Sequence, residues 1–186
     1  MSERPEIRPA STVVLLRDGE HGVETLLLKR NKALVFAGGF WVFPGGSLDP
    51  EDLAAAGGDE EQASRIAAAR EAREECGQSP HPEDMVLLSH WTTPQIQPRR
   101  FSTRIYAAPL RADDEVVIDG GESHDHIWIA ANDALERHRA GDMDMLPPTF
   151  ITLMTVARYL TVDDLIAAEL EKPVPYVLPV TFPVEG

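Results

Sequence analysis

The chain has 186 residues, 43% of them apolar, with one cysteine and 31 acidic against 17 basic side chains, for a net charge of −14. That length suits a single domain over 1–186 with one sizeable core, and a lone cysteine excludes an internal disulfide. No run approaches the roughly 18 apolar residues of a membrane span, and so acidic a chain lacks the basic surface that nonspecific nucleic-acid binding needs.

The opening stretch, Met1 to Ala10, is polar and proline-bearing, unlike a secretory signal peptide. Thr12 to Arg17 is apolar and β-branched and predicts a strand. Asp18-Gly19-Glu20-His21-Gly22 is turn-like, and Val23 to Lys29 predicts a second strand that pairs with the first as a hairpin. Phe40-Trp41-Val42-Phe43 reads as a short strand stopped by Pro44-Gly45-Gly46. Asp49 is placed as an N-cap with Pro50 at the first helical position, and Gly57-Gly58 closes that short helix. Asp59, with Gln62 three residues on, caps a second, alanine-rich helix that runs to Cys76 and stops at Gly77.

Met85 to Trp91 and Phe101 to Ala108 predict strands, and the proline- and arginine-bearing stretch between them a loop. Val116 to Ile118 and His126 to Ile129 read as short strands. Asn132 is placed as the cap of a helix ending near Gly141, Pro148-Thr149 opens a helix to Leu160, and Val162-Asp163 starts another. After Lys172 a proline-spaced tail is expected to be extended, and its end, Phe182 to Gly186, matches no lipidation or retention signal. With the lone cysteine this fits a cytoplasmic protein. The pattern is that of an α/β sandwich, a mixed sheet flanked by helices, without repeats.

Chemistry concentrates in Arg70-Glu71-Ala72-Arg73-Glu74-Glu75-Cys76-Gly77. Glu71, Glu74 and Glu75 are spaced i, i+3, i+4, which gathers three carboxylates on one helix face. Their repulsion would be removed by cations, and Mg²⁺ takes oxygen ligands between a few carboxylates and a phosphate. An isolated E-x-x-E-E is more often a solvated face. Here Arg70 precedes it, and Phe43-Pro44-Gly45-Gly46 upstream offers a glycine turn where backbone can approach a metal or phosphate closely.

These residues resemble the Nudix signature, G-x5-E-x7-R-E-U-x-E-E-x-G-U with U apolar. Arg70, Glu71, Ala72, Glu74, Glu75 and Gly77 match its second half in order, and Gly46 its opening glycine. Three departures stand out: the acid at the mid-box position is Asp52, the segment Leu53 to Ala63 is longer than the box allows and reads as a short helical insertion, and Gln78 replaces the last apolar residue. The resemblance implies a Nudix-like α/β/α sandwich and a diphosphatase using Mg²⁺ or Mn²⁺. Glu74 and Glu75 would be the main metal ligands, Glu71 would assist or orient the attacking water, Arg70 would hold Glu71, and the Gly46 carbonyl would face a metal. The role of Asp52 stays open, as does that of Glu122, which follows Gly120-Gly121 where Nudix proteins often carry a further acid; its competing reading is a solvated turn glutamate.

Trp91-Thr92-Thr93-Pro94, Pro98-Arg99-Arg100-Phe101 with Thr103-Arg104, and Pro147-Pro148-Thr149 resemble the Nudix branch that includes peroxisomal coenzyme A and acyl-CoA diphosphatases. Arg99, Arg100 and Arg104 are candidate phosphate clamps, since guanidinium pairs bidentately with phosphate, or else ion-pair partners of the surplus carboxylates. Arg100, Ser102 and Arg104 would share one strand face. His124 and His126 read as surface, Cys76 as packed, and Trp41 and Phe43 as core. The substrate expected is a nucleoside diphosphate derivative such as CoA; an ADP-sugar, a dinucleotide, or nucleotide sensing without cleavage stay open. Neither nucleic acid nor membrane is expected as a partner, and a homodimer stays open.

Overall fold

The computed structural model describes residues 6–35, 37–111 and 114–180; the expectations for residues 1–5 and for Phe182 to Gly186 lie outside them. The strands are β1 (Ile7–Gly19), β2 (Gly22–Arg30), β3 (Trp41–Val42), β4 (Gly45–Ser47), β5 (Val86–Thr92), β6 (Arg100–Pro109), β7 (Ser123–Ala130) and β8 (Tyr176–Val177). The helices are α1 (Pro50–Ala55), α2 (Glu60–Cys76), α3 (Ala131–Arg139), α4 (Pro147–Val156) and α5 (Val162–Leu170).

One mixed sheet has the order β3-β2-β1-β6-β5-β8, with β4 added against β1 and β7 against β2. β1 pairs antiparallel with β2 through the turn at Gly19 and Gly22, and parallel with β6. β1 is buried on both faces, which is why Val13-Val14-Leu15-Leu16 is an unbroken apolar run. Val13 and Leu15, with Leu26, Leu28, Tyr106 and Ala108, face α2. Val14, Leu16 and Leu27 face α3, α4 and α5.

Local chemistry sets the helix ends. Asp49 and Asp52 form a reciprocal capping box around Pro50, and the Asp59 carboxylate accepts from the Gln62 N–H at 2.8 Å. Gly77 ends α2 at a φ of 74°, in the left-handed region. No helix among the described residues is long and apolar enough to cross a membrane.

Four expectations are corrected. Gly45 and Gly46 do not merely stop a strand; Gly45–Ser47 pairs with Thr12, Ser11 and Ala10. Val116 to Ile118 is not a strand, because its backbone turns to the end of α2: Val117 N–H donates to Cys76 O at 3.0 Å and Asp119 N–H to Glu75 O at 3.3 Å. β7 runs straight into α3, so the N-cap is Ala130 and Asn132 lies inside the first turn. α4 ends at Val156 rather than Leu160, as the chain turns to bring the Tyr159 hydroxyl to Glu169 at 2.6 Å.

Candidate active site

The buried side of α2 is Ala63, Ser64, Ala67, Ala68, Ala69 and Ala72. Side chains this small let the helix lie close on the sheet, and glycines on β4 remove the remaining obstacle. The Gly45 N–H donates to Glu75 Oε2 at 3.1 Å. A β-carbon at Gly46 would collide with the Glu71 carboxylate. The glycine pair and the acidic end of α2 are thus in direct contact, although 30 residues separate Gly45 from Glu75.

Arg70 binds this assembly together. Its Nη1 donates to Glu71 Oε1 at 2.9 Å and to Glu74 Oε2 at 3.2 Å. Its Nη2 donates to Asp52 Oδ2 at 2.9 Å and to the Ser47 carbonyl at 3.0 Å, and its Nε to Asp52 Oδ1 at 3.2 Å. Asp52 is 3% exposed and also accepts from the Asp49 N–H at 2.9 Å. Burial alone would raise the Asp52 pKa, but the hydrogen bonds from Arg70 and Asp49 and the Arg70 charge hold it below the ordinary range. Asp52 therefore grips the arginine in a two-pronged pair rather than facing the three glutamates.

Electrostatics separates the glutamates. Glu75 is 7% exposed. Burial pushes its pKa up to about 8, with help from the neighbouring Glu71 and Glu122, against the Gly45 N–H and the Arg30 charge. Glu71 is also raised, first by burial and then by Glu74 and Glu122, with Arg70 opposing. Glu122 comes from the loop before β7 and lies 3.5 Å from Arg30 Nη1. That loop is clamped by Asn31, whose N–H donates to Glu122 O at 2.8 Å and whose amide reaches the Gly120 and Gly121 carbonyls.

The donor set fits a hard divalent cation: carboxylate oxygens crowded together, with burial and mutual repulsion raising Glu71 and Glu75. Among the described residues no three such side chains converge as a ready-made cluster. Glu74, at 58% side-chain exposure, is drawn to Arg70.

The arginines fall at three depths. Arg99 is exposed. Arg100 is 9% exposed and its Nε donates to the Thr93 carbonyl at 3.1 Å. Arg104 lies on the α2 side of β6, 4.0 Å from Glu60, its nearest carboxylate among the described residues. Beside it His90 meets Ser102 Oγ at 2.6 Å, and its pKa is lowered by burial and by Arg104.

Sequence reasoning missed Arg30, Asn31, His90 and Tyr176, because only the folded sheet brings them to the site's surroundings. Ser11, fully buried beside Gly46 with its hydroxyl unpaired, carries no sequence signal either. Cys76 is buried and its thiol pushed up to about 11 by burial, so it is packing. Trp41 and Phe43 lie in the core, while His124 and His126 are exposed. An open apolar groove of about 530 Å³ between α3 and α4, walled by Met145, Phe150, Ile151 and Met154, contains none of the glutamates.

Comparison with known proteins agrees with this geometry. A NUDIX domain profile matches residues 7–148. The structure is similar to that of a NUDIX hydrolase from Alicyclobacillus acidocaldarius, with a TM-score of 0.81 at 24% identity over 91% of this chain and 99% of that one. It is also similar to the NUDIX domain of Shewanella oneidensis NrtR complexed with ADP ribose (TM-score 0.59, 19% identity, 82% of this chain and 87% of that one). A C. elegans Ap4A hydrolase gives a TM-score of 0.50 at 20% identity, over 87% and 93% of the two chains. A search of curated proteins gives no match. The α/β sandwich with its mixed sheet is the Nudix fold, and the chain belongs to the Nudix family, whose diphosphatase chemistry generally uses divalent cations.

Proposed function

We propose that the protein cleaves the diphosphate linkage of a nucleoside diphosphate derivative, with Mg²⁺ or Mn²⁺ held by Glu71, Glu74 and Glu75, joined by the Gly46 carbonyl and by Glu122. The observation that carries this reading is the contact of Glu71 and Glu75 with the Gly45-Gly46 pair, where burial and the crowding of carboxylates raise the pKa of both. The cations, when bound, supply an activated water and stabilise charge on the phosphoryl oxygens. The chain's own residues do the rest. Arg70, fixed from behind by Asp52, holds Glu71 in place. Arg100 and Arg104 stand on the sheet as clamps for phosphate oxygens, with exposed Arg99 at the approach.

CoA or acyl-CoA is the first candidate substrate, on the resemblance of the segments around Trp91, Arg99 and Pro147. ADP-ribose and dinucleoside polyphosphates are the alternatives, since neighbours of this fold are an ADP-ribose complex and an Ap4A hydrolase. The test is chromatographic detection of the nucleotide and phosphomonoester products from a panel of CoA, ADP-ribose and a dinucleoside tetraphosphate, with Mg²⁺, with Mn²⁺ and with chelator. Hydrolysis of one class, lost with chelator, is expected. Turnover that survives metal removal overturns the reading.

A further inference from the structure

Gly46, Ser11, Arg104, His90 and Tyr176 stand in register on β4, β1, β6, β5 and β8. At a strand spacing of roughly 4.8 Å, Arg104 lies about 10 Å and Tyr176 about 19 Å from the glycine beneath Glu71. Tyr176 is 62% exposed yet fixed in place. Its hydroxyl bonds the Thr92 hydroxyl at 2.7 Å, and its ring meets His90 edge-on at 5.2 Å between centroids. The His90 N–H ties the tail down through the Pro175 carbonyl at 3.0 Å. A pinned but solvent-facing ring two strands, roughly 10 Å, from a half-buried cation is an arrangement for a ligand that is part aromatic and part anionic. The only carboxylate near Arg104 among the described residues is exposed Glu60 at 4.0 Å, an interaction loose enough to be exchanged for phosphate.

We propose that this row is the distal end of the substrate site: Arg104 takes a phosphate remote from the scissile linkage, and Tyr176, held by Thr92 and His90, stacks on the purine ring of a nucleotide. The inference rests on the proposed diphosphatase reading and deepens it, since it assigns the C-terminal strand to substrate recognition. His90 suits the role, because its ring packs against the tyrosine and its backbone N–H holds the adjoining Pro175 carbonyl.

The probes are adenosine 3′,5′-bisphosphate, which carries ring and phosphates, and ribose 5-phosphate, which has no ring. Their equilibrium binding to the metal-free protein reads the site without turnover. Tyr176→Ala is expected to weaken bisphosphate binding roughly tenfold and Tyr176→Phe by no more than about threefold, within the range of base–aromatic stacking. Arg104→Ala should weaken both ligands, whereas Tyr176→Ala should leave ribose 5-phosphate unchanged. In hydrolysis of whichever nucleotide the panel identifies, Tyr176→Ala should raise KM with kcat preserved. Equal losses for both ligands in Tyr176→Ala, unchanged bisphosphate binding, or an unchanged KM each overturn the proposal. Tyrosine-dependent binding by a wild-type protein that hydrolyses nothing would support the ring site and overturn the diphosphatase reading instead.

Discussion

On one face of the sheet, α3, α4 and α5 press Leu135, Leu153, Val156 and Leu165 onto Val14, Leu16 and Leu27; on the other, α2 brings little but alanine. The large residues hold three helices and belong to the larger of the two apolar clusters. The small ones bring a single helix in close, so that Glu71 and Glu75 reach backbone that bulkier packing would keep from them. Stability is thus concentrated on one face and chemistry on the other, and substitutions should divide the same way.

The largest effects test that division directly. Glu75→Gln is expected to lower kcat by more than about a hundredfold, since even changes behind a metal ligand typically cost 10–100-fold. Its circular dichroism should match the wild type, and a calorimetric titration with Mn²⁺ should show weakened binding. Leu153→Ala should do the reverse, destabilising the fold by about 2–5 kcal/mol in urea titration while the folded fraction keeps its Mn²⁺ affinity. A Leu153→Ala protein with impaired metal binding would mean the faces are coupled.

A smaller and sharper contrast lies within the glycine pair. A methyl at Gly46 meets the end of the Glu71 side chain, which can swing away. A methyl at Gly45 lies 2.8 Å from the Thr12 Cα, which cannot. Gly46→Ala should therefore lose activity with little change in melting temperature, and Gly45→Ala should cost about 1–3 kcal/mol of stability, the usual range for overpacking. Equal melting temperatures for the two variants would contradict this account.

The mildest effect is on pH dependence. In the metal-free fold Glu75 keeps its proton up to about pH 8, whereas its ordinary value is 4.5. Between those values the folded chain holds a proton that the unfolded chain has released, so stability falls as pH rises through this window. Melting temperatures from pH 5 to 8 should decline more steeply for the metal-free wild type than for Glu75→Gln. Parallel curves would show that Glu75 is ionised in the fold.

How much of this was legible in the sequence follows from the range of the interactions. α2, its caps and the spacing of Glu71, Glu74 and Glu75 are local, so the chain order displays them. The hairpin of β1 and β2 is equally local. The strand at Gly45–Ser47 was hidden because its partner, Ser11 and its neighbours, is some 35 residues away, and glycine is a poor strand former in isolation. Val116 to Ile118 misled because β-branched residues suit a strand, yet the end of α2 satisfies that backbone first. Gln78, an exception to the Nudix pattern, proves to be a buried donor to the Asp114 and Glu115 carbonyls, and so fixes the same segment by hydrogen bonding. Tyr176 sits near the chain end, and nothing local announces that it pairs beside His90.

The Asp49–Asp52 box and the Asp52–Arg70 pair close α1 onto α2 on either side of Gly57 and Gly58, whose surroundings are open space at positive φ. The connection between the two helices has only the end of α1 to close, where the Gly57 N–H donates to Ala54 O at 3.1 Å and the Gly58 N–H to Leu53 O at 3.0 Å. It offers an engineering port: a peptide tag or reporter spliced between Gly57 and Gly58 would hang from the surface at the cost of the bonds that close α1, with the clamp on Arg70 left to hold α1 against α2.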